Sequence, residues 1–187
     1  MNRFLKTWKG VIINPSSFFK NVSDNDSLGY PVMFALINFF VFSIGNTVGY
    51  AILDKLGIIQ VIFIGSLKIN IIISAIIGPI IDLFFLLIVG IILFILFKIV
   101  GGSGSLEGTI KIILYSSAVN LLAWIPVVGW LFWYYKIYLN TIGGKFVHNI
   151  SILKSAIVVI VVSIPFIWVN LLFFLIVFAN FGIEPLN

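Results

Sequence analysis

The sequence predicts an all-α fold, a polytopic membrane helix bundle with about five transmembrane helices and an N-terminal amphipathic helix. Three observations predict it. Hydrophobic residues make up 61% of the 187-residue chain and charged residues only 9%, against roughly 25% charged in soluble domains. So few polar groups cannot cover a water-facing surface. The apolar residues fall in long runs, several of which reach the roughly 20 residues that cross a bilayer as a helix. Most of the bases lie between the runs, and they are divided unevenly between the two sides.

Residues 1–30 read as a cytoplasmic amphipathic segment, 31–180 as one five-helix membrane domain, and 181–187 as a short extracytoplasmic tail. Phe4, Leu5, Trp8, Val11 and Ile12 share one helical face,. Arg3, Lys6 and Lys9 lie mainly opposite. Aromatics on one side and bases on the other suit an anionic membrane surface, so Arg3, Phe4, Lys6, Trp8 and Lys9 are candidate membrane-surface contacts. The alternative is a helix packed on the protein's own cytoplasmic end. Asn14-Pro15 punctuates this helix, and Pro15 can open a second short one through Phe18 and Phe19. Ser23-Asp24-Asn25-Asp26-Ser27 reads as a polar turn.

The first span is expected from about Pro31 to Leu53. Asn38, Gly45 and Gly49 share a face, and Gly45 and Gly49 form a small-xxx-small pair that lets another helix approach. Packing within one monomer is its first use, with a homodimer seam as the alternative. Asn38 and Asn46 need partners in hydrocarbon and should point into the bundle. The stretch Ile58–Val100 exceeds one crossing. Gly78-Pro79 divides it into an amphipathic or tilted approach, Ile58–Ile77, carrying Gln60, Lys68 and Asn70, and a second span from Pro79 to about Phe97. Gly101-Gly102-Ser103-Gly104-Ser105 follows as a loop. Ser105 is the expected N-cap of the third helix, with Glu107 in its first turn. That helix ends at Trp124-Ile125-Pro126, and Val127-Val128-Gly129 leads at once into an aromatic fourth helix, so the two form a tight antiparallel hairpin. The fourth helix, with Trp130, Phe132, Trp133, Tyr134, Tyr135 and Tyr138, is expected to stop at Gly143-Gly144. A polar loop through Lys145, His148, Asn149 and Ser151 leads to the fifth span, Lys154–Ala179, with Pro165 as an expected kink.

With five crossings, nine of the eleven bases fall toward one side: Arg3, Lys6, Lys9, Lys20, Lys98, Lys111, Lys145 and Lys154, with Lys136 leaning the same way. Lys55 and Lys68 fall on the other. This predicts a multi-pass protein of the cell membrane with a cytoplasmic N-terminus and an extracytoplasmic C-terminus. No signal-peptide pattern opens the chain.

The second half carries a recognisable order of short motifs. Gly101-Gly102-Ser103-Gly104-Ser105 is followed by Tyr115-Ser116, then by Ile125-Pro126-Val127-Val128-Gly129. Ile142-Gly143, His148, Ser151, Lys154 and Ala156 complete it. Together with Trp8, Pro15 and Phe18-Phe19, they resemble the Yip-one (Ypt-interacting protein) domain family, in the manner of its prokaryotic members. The resemblance implies five spans with a cytoplasmic N-terminus. It also implies that Gly101, Gly102, Tyr115, Pro126, Gly129, Gly143 and His148 are structural. Eukaryotic members of the family are tied to vesicle traffic, Rab-type GTPases and membrane shaping. The N-terminal segment here lacks the long cytoplasmic domain of many of those members. Val119 stands where proline is frequent in the family, which removes the local cause of a kink.

Chemistry-bearing residues are few. The absence of cysteine excludes disulfides, zinc-thiolate and iron–sulfur sites, and no catalytic, cofactor or metal site is expected. Asp82, Asn38 and Asn120 are the candidate intramembrane polar residues. An ionisable group in hydrocarbon is a functional hypothesis by default. Counting from Pro79, however, Asp82 would lie near the outer interface, hydrated or paired with Lys68. The glycine-rich loop lacks the phosphate-loop pattern and follows an apolar helix, so a helix end explains it. His148 reads as a solvated loop histidine. A Ser-His-Asp site would need Asp82 and His148 on opposite sides of the membrane. The expected function is therefore non-catalytic: membrane organisation or trafficking-like work through the lipid bilayer, including anionic lipids, and through a membrane-protein partner or homo-oligomer, with no nucleic acid. The rival is a small-solute or ion transporter whose polar path would use Asn38, Asn46, Asp82, Ser116, Ser117, Asn120 and Asn170.

Overall fold

In the computed structural model, residues 2–22, 27–55, 71–125 and 128–181 are described. Among them every regular element is helical: α1 (Arg3–Ile13), α2 (Pro15–Lys20), α3 (Gly29–Lys55), α4 (Ile71–Ile99), α5 (Leu106–Ser116), α6 (Asn120–Ala123), α7 (Val128–His148) and α8 (Ile152–Phe181), with a 3₁₀ turn at Ser117–Val119 between α5 and α6. The polar turn at Ser23–Ser27, the approach bearing Gln60, Lys68 and Asn70, Pro126, and all of the tail after Phe181 lie wholly or mainly outside the described residues. So do the side chains of Lys55, Trp130 and Asn170.

Local chemistry sets most boundaries. Asn14 ends α1 and caps α2, its side chain accepting from the Ser17 N–H, and Pro15 occupies the first helical position, where its missing N–H costs nothing. The Ser105 hydroxyl accepts from the Gly108 N–H at 2.9 Å, the expected N-cap of α5. The Gly129 N–H donates to the Ile125 carbonyl at 2.7 Å, and a Cβ on Gly129 would strike the Ala123 carbonyl oxygen. The α6–α7 connection is therefore as tight as the sequence implies.

Two boundaries differ from expectation. Helix α4, described from Ile71, runs through Pro79 instead of starting there. An interior proline removes one backbone hydrogen bond, a loss that membrane helices tolerate where neighbours pack closely. Pro79 is buried, and beside it a Cβ on Gly78 would lie 3.5 Å from the Ser43 hydroxyl of α3. Helix α7 does not stop at Gly143-Gly144 but continues to His148. Those glycines are close-approach points. A Cβ on Gly143 would run into Ile112 of α5, and one on Gly144 into Ser155 of α8 and Phe97 of α4.

Stretches Gly29–Gly49, Ile76–Ile99 and Leu106–Ala123 are long and apolar enough to cross a membrane, and Ile152–Pro165 is a shorter apolar helix. Helices α3, α4 and α8 turn large apolar side chains outward, among them Met33, Ile44, Ile80, Phe84, Ile95, Ile157 and Trp168. In water this surface would be untenable; in lipid it is the solvent-exposed face. The α5–α6 segment is the inner element, with Ile112, Ile113, Leu114, Ala118 and Val119 fully or almost fully buried. Gly45 receives the Trp124 ring, so the small-residue face of α3 is used within the monomer.

Candidate functional site

Three groupings gather the polar and aromatic residues. The first locks the glycine-rich loop onto the end of α7. His148 is fully buried, not a solvated loop residue, because α7 carries it past Gly144 into the space under the loop. Its Nε2 lies 2.8 Å from the Thr109 hydroxyl. With that hydroxyl donating its one proton to the Ser105 carbonyl, 2.9 Å away, Nε2 is the donor and the ring is the Nε2–H tautomer. The imidazole stacks on Phe97 with ring centroids 4.5 Å apart. Above it the Ser103 N–H donates to the His148 carbonyl at 2.9 Å, and the Gly102 N–H donates to the Phe97 carbonyl at 2.8 Å. Gly101 takes φ +90°, a left-handed value that favours glycine. Lys98 and Lys154 add donors to the Ser103 and Val100 carbonyls. This grouping brings together Gly101, Gly102 and His148, with Gly143 one turn before the histidine.

The second grouping is the N-terminal pair α1–α2. The apolar face of α1 is turned onto the bundle. Val11 is fully buried, and Phe4 packs on Phe34 at 5.0 Å. The Trp8 indole donates to the Ala118 carbonyl at 2.9 Å, 110 positions away. That carbonyl lies in the 3₁₀ turn. Val119 supplies no proline there, yet the helix tightens, with the Ser117 hydroxyl donating to the Leu114 carbonyl at 2.5 Å in competition with the backbone ladder. The Tyr135 hydroxyl donates to the Ile12 carbonyl, an otherwise orphaned helix end. Tyr115 packs edge-on against Phe18. Arg3 sits over the Tyr30 ring at 3.8 Å, while Arg3, Lys6, Lys9 and Lys20 remain exposed.

The third grouping lies between the helices, in a partly open cavity. A cavity of about 380 Å³ is lined by residues of α3, α4, α5, α6, α7 and α8. Its walls are apolar and aromatic, including Phe42, Phe85, Leu93 and Trp133, and its polar points are Asp82, Asn120, Lys136, Asn140 and Ser163. Asp82 is half-buried, well inside the continuous helix α4. Its suggested partner Lys68 lies outside the described residues. Asn120 is 1% exposed, and neither amide atom has a hydrogen-bond partner; the Asn140 carbonyl oxygen is likewise unpartnered. Lys136, counted among the bases between the spans, is a cavity residue. It faces this cavity, its ammonium 5.3 Å from the Trp133 ring centroid. Lys111 is also buried, paired with Glu107 at 3.0 Å.

Of the candidate intramembrane residues, Asp82 and Asn120 therefore meet in one cavity, while Asn38 does not line it. The Asn38 amide donates back to the Phe34 carbonyl at 2.7 Å. Lys136 and Asn140 were not among the candidates, although their four-residue spacing places both on one face of α7. That spacing was the available signal.

Fold and site together define a polytopic α-helical membrane protein with its N-terminal helices docked on the bundle and an apolar-walled cavity with a few polar points between its helices. The chain matches the Yip1 domain over residues 9–177, most of its length, and it belongs to the Yip1 domain family. That family consists of non-enzymatic membrane proteins. No curated protein and no solved structure matches the chain.

Proposed function

We propose that this Yip1-type protein organises membranes without catalysis, through contacts of its basic cytoplasmic surface with anionic lipid and of its helices with a membrane-protein partner. The observation that carries this reading is the residual surface of α1–α2. The aromatic side chains are docked inward, and what remains outside is Arg3, Lys6, Lys9 and Lys20 together with Leu5 and Ile13. Bases beside exposed aliphatic side chains suit the headgroup layer of an anionic leaflet, each base contributing about 1 kcal/mol near such a surface. The orientation is five crossings with a cytoplasmic N-terminus. Lys98, Lys145 and Lys154 at the glycine-rich-loop end support it, even with Lys136 and Lys111 removed from the count.

Cysteine labelling in intact cells tests the orientation. Ser103→Cys is expected to react only after permeabilisation, and Asn187→Cys from outside. Reaction of both from one side would sink the five-crossing arrangement. Lipid analysis of the full chain extracted from native membranes tests the function. Anionic lipid should be enriched around the wild type, and the triple change Lys6→Glu, Lys9→Glu, Lys20→Glu should remove most of the enrichment. Proton- or cation-dependent flux in vesicles reconstituted with the protein would overturn the reading in favour of a transporter.

A further inference from the structure

We propose that the cavity between the helices is a binding site for a zwitterionic amphiphile, a molecule carrying a primary amine and an anionic group on an apolar body, with its amine toward Asp82 and its anion toward Lys136. The cavity's volume, about 380 Å³, lies in the range of small-molecule sites, roughly 300–1,000 Å³, and its lining is of the same kind, apolar walls with a few convergent polar groups. What singles it out is the state of those groups.

Asp82 and Lys136 are close enough to interact electrostatically. Among the described residues, however, the one direct ion pair is Lys111–Glu107. Both are half-buried, and a pair that served only to neutralise itself would be in contact, because ions held apart against apolar walls forgo much of the attraction that offsets their desolvation. Lys136 has the face of Trp133 beside it, which attracts the charge but accepts no conventional hydrogen bond. Asn120 has an unpartnered donor and an unpartnered acceptor, and Asn140 an unpartnered acceptor. Leaving such atoms dry costs on the order of 1–3 kcal/mol each.

The set defines its complement. A primary ammonium has three donors, and Asp82, Asn120 and Asn140 supply acceptors for them. An anionic group would take the Lys136 ammonium and the Asn120 amide N–H. A purely anionic ligand would face the Asp82 carboxylate, and a purely cationic one the Lys136 ammonium. A neutral ligand would satisfy neither. Aliphatic and aromatic walls, from Phe42 and Phe85 to Val159 and Val162, suit the apolar body. Two sources share this chemistry: an aminophospholipid of the surrounding bilayer and a free apolar amino acid.

The test uses the full chain purified in detergent, with bound molecules read by native mass spectrometry. The lipid probes are phosphatidylethanolamine, phosphatidylcholine, whose methylated amine has no donors, and phosphatidylglycerol. The small probes are phenylalanine, phenethylamine and 3-phenylpropionate. One amine-bearing zwitterion, either the ethanolamine lipid or phenylalanine, should be retained at least about tenfold better than its single-charge or methylated analogues, a difference of about one hydrogen-bonded group. Preference for the lipid assigns the membrane as source, and preference for phenylalanine a free solute. Asp82→Asn and Lys136→Met should each lose about tenfold in retention. Val162→Phe, which fills the cavity with both charges intact, should abolish retention and serves where a charge variant fails to fold. No retention of any probe, retention without discrimination, or retention unchanged in Val162→Phe would each overturn the proposal.

Discussion

Gly104→Ala is expected to destabilise the protein by roughly 3 kcal/mol, the upper part of the range for overpacking a close-packed site. The added Cβ would lie 2.6 Å from the Val147 carbonyl oxygen and 3.0 Å from the His148 ring. Neither neighbour can retreat. The carbonyl belongs to the last turn of α7, and the ring is held between Phe97 and Thr109. Gly101→Ala makes the contrast. Nothing lies within 4 Å of its Cβ position, and its φ is +90°, so the change carries only backbone strain, about 1–2 kcal/mol. Thermal unfolding of the detergent-solubilised protein, followed by size-exclusion chromatography, should rank wild type above Gly101→Ala and Gly101→Ala above Gly104→Ala. The reverse order of the two variants would show that the loop is not clamped on His148.

Much of the architecture follows from local rules. The apolar runs become helices, Asn14-Pro15 divides α1 from α2, Ser105 caps α5, and five residues from Ile125 to Gly129 can form only a tight connection. What escaped local reasoning shares a physical cause. A glycine pair reads equally well as a helix end and as a surface for close approach, and at Gly143-Gly144 the partner that decides is Ile112, Ser155 or Phe97, on other helices. Once α7 continues, His148 is carried inward and its loop reading fails. The apolar face of α1 matches a lipid surface and a protein surface alike, because both are apolar. The choice rests on the Trp8 and Tyr135 hydrogen bonds to distant carbonyls. The cavity between the helices was legible only in pieces. Asp82 and Asn120 stand out as polar residues in apolar helices, but that they face Lys136 and Asn140 is a property of the assembled bundle.

His148→Ala should cost roughly 3 kcal/mol, joining the loss of a buried ring to the orphaning of its neighbours. The imidazole fills the space beneath Gly102 and Gly104, and its Nε2–H holds the Thr109 hydroxyl. Thr109→Val keeps the shape and removes the hydroxyl, together with its bond to the Ser105 carbonyl, for about 1–2 kcal/mol. If the two residues act as one unit, the double variant should fall short of the sum by about 1 kcal/mol, since residues sharing a hydrogen bond couple on that scale. Denaturant or thermal unfolding of the four proteins in one detergent gives the cycle. Additive losses would mean that the histidine acts as filler, its contact with Thr109 contributing nothing of its own. A His148→Ala protein as stable as wild type would remove the loop lock altogether. The expected coupling has a structural reading. Thr109 lies in the first turn of α5, Ser105 caps that helix, and His148 closes α7, so one short hydrogen-bonded chain fixes the start of the inner helix against the end of the aromatic one. Loosening it should also free the Ser103 backbone N–H, which donates to the His148 carbonyl. Hydrogen exchange at Ser103 should therefore rise in His148→Ala and less in Thr109→Val, which keeps the ring in place.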